Sequence, residues 1–410
     1  MIAVGTVYGW ITTSLSRLMS GDNMPLKITS NEGSWLVSLT IIGSMIGPFM
    51  GASLADRYGR RFCLIGCSGF FILGWLIVLL ATNVGALYAS RVILGIGVGI
   101  AYTTNPMYLS EVADTEIRGA LGTLTAVNVF TGSLFTCCVG PWVSYSTLAS
   151  ILLIMPMIFV AIFVWFPESP YYLAAIGQKK EASRSLAFFK GTRNRYVVRR
   201  ELQIIYKIIE KDYNLPRSKS NQCSDMNRQS WLVRLQLMRQ SSNKKALWLI
   251  IGLTAAQQFS GNFSTMQYME ELFTNRKTID SSVATIIVLT VGLISGTIAT
   301  ATVEKAGRRK LLFFSMTGSY TMLFILSAYY VADAYDVGSG LLFDSVPIID
   351  VILFQIAYQA GLGTLPNVLL GELFPTEAKS IAGAIVMIFD GIFGFIVSKL
   401  YQVTISRLGY

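Results

Sequence analysis

Asp56-Arg57-Tyr58-Gly59-Arg60-Arg61 returns about 250 residues later as Glu304-Lys305-Ala306-Gly307-Arg308-Arg309. Both copies read acid, base, spacer, glycine and two arginines, and both follow a long apolar run. A second pair travels with the first: Glu111 stands seven residues before Arg118, and Glu372 stands seven before Lys379. A charged signature repeated at matching places between apolar segments marks a chain built from two related halves. In a membrane, paired halves are the plan of a secondary transporter that holds its substrate between them.

Composition points the same way. Hydrophobic residues make up 53% of the 410 and charged residues 14%, against roughly 25% charged in a soluble domain. Eleven stretches approach or exceed the roughly 20 apolar residues that cross a bilayer. They cover 1–18, 34–54, 62–82, 86–108, 119–140, 146–166, 246–268, 282–303, 311–332, 347–370 and 380–401. The expected fold is therefore an all-α integral membrane protein. Its expected parts are a transmembrane half over 1–166, a linker with amphipathic helices over 167–245, and a second transmembrane half over 246–410. Met1 opens into apolar sequence with no basic leader, so no cleavable signal is expected.

The net charge of +10 is distributed by topology. Residues 167–245 hold 17 of the 33 Lys and Arg and only six acids, whereas 333–350 carries Asp333, Asp336, Asp344 and Asp350 with no base. Basic loops stay in the cytoplasm, so this asymmetry orients the 167–245 insert there and excludes nucleic acid as the reason for the charge. Within the insert, amphipathic stretches at 178–190, 197–212 and 228–240 are expected. The spacing of Leu202, Ile205, Ile208 and Ile209 suits a packed helix face better than a disordered linker.

Enzyme chemistry finds no residues to use. The chain has no histidine, and no nucleophile–base pair, phosphate loop or metal cluster stands out. No cofactor or metal is expected. Cys63, Cys67, Cys137, Cys138 and Cys223 read as small core residues or insert residues, not a disulfide framework.

Taken together the motifs resemble the sugar porter family of the major facilitator superfamily over essentially the whole chain. The matching pieces are the two charged turns, Arg91 with Gly95 and Gly99, Pro106-Met107-Tyr108-Leu109-Ser110-Glu111 and Arg118-Gly119. Further matches are Pro167-Glu168-Ser169-Pro170, Gln257-Gln258-Phe259-Ser260-Gly261 and Gly371-Glu372-Leu373-Phe374-Pro375. Within that family the chain looks most like insect facilitative sugar transporters of the trehalose and glucose type. The resemblance implies two six-helix halves, whereas the spans counted here stop at eleven. A fragment, an incorrect gene model or a short isoform are the expectations for that difference. It also implies a multi-pass protein of the plasma membrane whose partners are a small sugar and the bilayer.

The charges have a second expected role. Asp and Glu contribute little to orientation, so carboxylates beside the basic turns need another reason. Asp56, Arg57, Arg60, Arg61, Arg91, Glu111, Arg118, Glu168, Glu304, Arg308, Arg309, Glu372 and Lys379 are expected to form gating ion pairs that bridge the halves in one state and break in the other.

For the substrate, Gln257 and Gln258 are amides inside a span, suited to sugar hydroxyls or to bonding between helices. Asn262, Phe263, Tyr268, Asn367 and Asp390 complete the expected site. Several depart from what the resemblance implies. Phe263 stands where the family has Asn, and Gln267-Tyr268 stands where an aromatic pair is usual. Asn367 in Gly363-Thr364-Leu365-Pro366-Asn367 replaces a tryptophan, and Asp390-Gly391 replaces Asn-Trp. Ala126 takes a glutamine position and Gly292 an asparagine position. Ile11, in Tyr8-Gly9-Trp10-Ile11, replaces the span-one carboxylate of proton-linked relatives, although Arg91 is kept. Facilitated diffusion of a hexose or trehalose-like sugar is the expectation. A non-transporting sugar sensor and a proton-coupled symporter using Asp390 are the alternatives.

Overall fold

The computed structural model describes residues 1–21, 26–114, 118–192, 194–213, 241–269, 273, 280–335, 341–374 and 376–408. All regular structure among them is helical. The first six spans are α1 (Ile2–Ser20), α2 (Ser30–Tyr58), α3 (Arg60–Leu80), α4 (Val84–Val112), α5 (Arg118–Val139) and α6 (Tyr145–Phe163). Three short helices follow, α7 (Pro170–Ala175), α8 (Lys179–Phe189) and α9 (Arg195–Tyr213). The later spans are α10 (Ser241–Phe259) with α11 (Asn262–Gln267), then α12 (Ser281–Ala306) and α13 (Arg308–Ala334). They end with α14 (Leu341–Ala360), α15 (Leu365–Leu373) and α16 (Thr376–Leu408).

Each of the eleven expected spans falls on helix. Among the described residues, eight helices are long and apolar enough to cross a membrane, and Ser345–Ala360 is a shorter apolar helix. Two spans differ from the expectation of continuous helices. The seventh breaks between α10 and α11 at Gly261, which sits in the left-handed region at φ 76°. The tenth breaks between α14 and α15. There the Leu362 amide donates to the Ser315 hydroxyl of α13 at 2.8 Å, and the Gly363 amide returns to the Tyr358 carbonyl at 2.9 Å. Irregular backbone at membrane depth survives only where protein or a cavity satisfies it, and broken helices are how transporters build binding sites.

The first six spans pack by close backbone approach. A Cβ on Gly43 of α2 would lie 2.3 Å from the Val92 carbonyl of α4, and one on Gly99 would lie 2.5 Å from the Ser44 carbonyl. Small residues let membrane helices make many van der Waals contacts where lipid supplies no hydrophobic drive. Gly5 of α1 meets the Val129 carbonyl of α5 in the same way. The two sets of spans then meet through α2 against α16, α5 against α12 and α1 against α11.

The insert carries its own small core. Leu173, Ala174, Ala182, Leu186, Val198 and Ile205 are buried together, with Leu202 and Tyr206 packed against them. α8 and α9 match two of the expected amphipathic stretches, and α7 was not anticipated. Residues 228–240 and the side chains of Ile208 and Ile209 lie outside the described residues. Asp350, at the start of the expected tenth span, lies in α14. It is buried, and neither carboxylate oxygen has a hydrogen-bond partner among the described residues.

Candidate substrate site and charge network

The breaks bring the expected polar residues together. Gln257 and Gln258 occupy the last turn of α10, and Asn262 and Phe263 the first turn of α11. The Gln258 amide donates to Asp390 Oδ1 of α16 at 2.5 Å. Tyr358, one turn before the break after α14, places its hydroxyl beside the Gln257 and Asn262 side chains. Tyr8 of α1 and Tyr102 of α4 stand close enough to Asp390 to feel its charge, as does Tyr358. Tyr8 also meets Phe263 edge to face, with ring centroids 6.2 Å apart. Residues from both sets of spans therefore lie within electrostatic reach of one carboxylate.

Tyr8, Tyr102 and Tyr358 were missed in the sequence, because tyrosines in apolar spans carry no spacing signal. Asn367 lies on α15, with its side chain outside the described residues. Tyr268 is buried against the first six spans, and the nearby Thr12 hydroxyl of α1 donates to the Met266 carbonyl at 3.0 Å. The asparagine missing at Gly292 has a physical counterpart: the Gln355 side chain of α14 fills that space, and a Cβ on Gly292 would lie 3.0 Å from Gln355 Nε2.

Arg91 is fully buried, with its guanidinium 3.9 Å from the Trp10 ring centroid and 5.9 Å from that of Trp75. Its one hydrogen bond runs to the Val7 carbonyl at 3.4 Å, and Nε and Nη2 find no acceptor among the described residues. No carboxylate pairs with it among those residues. Among the described residues, aromatic faces and not an acid enclose this cation.

The first charged turn is bound inside its own set of spans. Arg60 Nη2 lies 3.0 Å from Glu111 Oε1, and Arg60 Nη1 lies 3.7 Å from Asp56 Oδ1. Ser169 donates its hydroxyl to Glu111 Oε2. The Glu168 carboxylate accepts the backbone amides of Arg60 at 3.1 Å and Arg61 at 3.0 Å, which caps the N-terminus of α3. An anion there satisfies orphan amides and the positive end of the helix. Gly59 is required for that approach: its φ is 100°, and a Cβ would lie 2.4 Å from Glu168 Oε2. The Arg61 side chain donates to the Val164 carbonyl, and Arg57 lies over the Tyr58 ring at 5.3 Å. Thus the described pairs lock α2, α3, α4 and the Pro167–Pro170 turn into one body; none of them bridges the two sets of spans. Arg308 and Arg309 open α13. The side chains of Arg118, Glu304, Glu372 and Lys379 lie outside the described residues.

A bridge does exist at the opposite face. Lys399 of α16 donates to the Ser34 hydroxyl of α2 at 2.8 Å, and its ammonium lies 3.8 Å from the Trp35 ring centroid. Sequence reasoning offered no signal for it beyond a lone lysine late in the eleventh span. Among the described residues, no cluster of three metal-ligating side chains occurs.

The profile of a family described as "Sugar (and other) transporter" matches residues 5–410. The facilitated trehalose transporter Tret1 of Apis mellifera ligustica is 27% identical over all of this chain and 78% of its own length. That of Bombyx mori is 27% identical over 99% of this chain and 77% of its length. The trehalose transporter 1 of Drosophila melanogaster is 26% identical over 98% of this chain but 45% of its own length. In structure, a partially occluded inward-open form of the xylose transporter XylE from E. coli superposes with a TM-score of 0.76. It is 21% identical, over 98% of this chain and 89% of that one.

Proposed function

The chain belongs to the sugar (and other) transporter family, and from that premise we propose that it carries a hexose or trehalose-like sugar down its gradient by alternating access. The observation that carries this reading is the polar site built where two helices break, between the two sets of spans. Gln257, Gln258, Asn262 and Asp390 offer donors and acceptors to sugar hydroxyls, while Phe263, Tyr8, Tyr102 and Tyr358 supply apolar and phenolic wall. Asn367 and Tyr268 complete it. Such a mix of apolar lining and a few converging polar groups is what a small-ligand site needs.

Movement requires two bodies that rock about the site. The division at 1–166, 167–245 and 246–410 supplies them, with the insert in the cytoplasm of a plasma-membrane protein. The locked cytoplasmic turn makes the first body rigid. The Lys399–Ser34–Trp35 bridge would then close the outer side. The remaining charges Glu304, Arg308, Arg309, Glu372, Lys379 and Arg118 would close the inner side in the other state.

Coupling to protons lacks its parts: Ile11 removes the acid, and Trp10 and Trp75 enclose Arg91. Uptake of labelled trehalose and glucose into proteoliposomes tests the reading. A carrier gives saturable uptake that stops at equal concentration. Binding without flux would point instead to a sensor.

A further inference from the structure

Resting on that sugar-carrier reading, we propose that the site prefers an amino sugar, a hexose bearing an ammonium group, with Asp390 as its counter-ion. Asp390 lies in the middle of α16, accepts a hydrogen bond from Gln258 of α10, and lies within electrostatic reach of Tyr8 of α1, Tyr102 of α4 and Tyr358 of α14.

Its described partners are all neutral. One oxygen accepts from the Gln258 amide, and the nearby groups that sense its charge are the phenols of Tyr8, Tyr102 and Tyr358. Among the described residues, Arg17 of α1 donates to the Gly140 and Val143 carbonyls, and two further cations inside these spans are likewise engaged elsewhere. Arg91 is enclosed by Trp10 and Trp75, and Lys399, nine residues along the same helix, is committed to Ser34 and Trp35. Nine residues of helix separate Lys399 from Asp390 by about 13 Å.

A carboxylate inside a membrane protein needs a partner, and an intramembrane acid with no basic neighbour is a ligand site by default. A neutral sugar offers it only a hydroxyl. An ammonium offers charge and a charge-assisted hydrogen bond, roughly twice the strength of a neutral one. The remaining hydroxyls of the sugar would still meet Gln257, Asn262 and the tyrosine hydroxyls, which is why the ligand is an amino sugar and not a bare amine.

Equilibrium binding of D-glucosamine, D-glucose, N-acetyl-D-glucosamine and choline to the purified full chain tests this. Glucosamine should bind at least tenfold more tightly than glucose and N-acetylglucosamine. That advantage should vanish in Asp390→Asn and persist in Asp390→Glu, with size-exclusion elution confirming that each variant is folded. Equal affinity for glucosamine and the two neutral sugars overturns the proposal and leaves the sugar reading intact. Choline binding as tightly as glucosamine, with glucose not binding, overturns both. So does the absence of binding by all four.

Discussion

Lys399 Nζ donates to Ser34 Oγ at 2.8 Å across 365 residues of chain, and the same ammonium caps the face of Trp35 at 3.8 Å. This joins the eleventh span to the second at the face opposite the charged turns. At the charged face, the described ion pairs stay within the first six spans and the insert. The two faces therefore differ in kind: one is bridged between bodies, and the other is braced within a body.

Removing the bridge should open the outer side. A cation–π contact contributes about 0.5–2 kcal/mol, so Lys399→Met should shift the outward-to-inward ratio by roughly fivefold. Ser38, one turn deeper in α2, is buried. A membrane-impermeant maleimide should label Ser38→Cys several-fold faster when Lys399→Met is added, relative to the parent cysteines alone. Equal labelling rates would leave Lys399 without a gating role.

The brace makes a different prediction. Arg60 and Glu111 expose only 14% and 17% of their side chains, so deleting one partner strands the other charge. Arg60→Ala should lower thermal stability in detergent by the order of a few kcal/mol. In a double-mutant cycle, Arg60→Ala and Glu111→Ala should couple by about 1–3 kcal/mol. Additive effects would show that the pair is not an interacting unit.

Gly59 should tolerate no side chain. Its φ of 100° and the 2.4 Å gap to Glu168 Oε2 act together, and a side chain in that glycine-only backbone region costs about 1–3 kcal/mol. Gly59→Ala should therefore unfold at lower temperature than Glu168→Gln, which keeps an acceptor at the α3 N-terminus. A Gly59→Ala protein as stable as the parent would mean that Glu168 is not held as the structure places it.

The repeated charged turn and the apolar runs made the helical membrane fold legible, because charge in a bilayer is restricted to helix ends and to functional interiors. Gln257, Gln258 and Asp390 were legible for the same reason: each is a polar group where polarity is costly. The two breaks were written in Gly261 and in Gly361-Leu362-Gly363, yet glycine is common in membrane helices and marks a break only once Ser315 and Tyr358 are seen to satisfy the freed backbone. The tyrosines around Asp390 were invisible because they come from three separate spans. The surroundings of Arg91 were not legible because the sequence shows its charge but not the tryptophans that enclose it.

Energy coupling offers a sharper contrast with proton-linked relatives. With Ile11 in place of an acid, an inward proton gradient imposed on proteoliposomes should not drive sugar above its equilibrium level. Accumulation that disappears in Asp390→Asn would make Asp390 the coupling site and the carrier a symporter.

Counterflow in proteoliposomes tests alternating access most directly. Vesicles are loaded with unlabelled sugar at high concentration and diluted into a trace of the same sugar carrying label. An alternating-access carrier with one site between two moving bodies gives a transient overshoot of label inside, because the loaded protein returns outward faster than it would empty. A protein that only binds sugar, or a pore open to both sides at once, gives label that rises to equilibrium without overshoot.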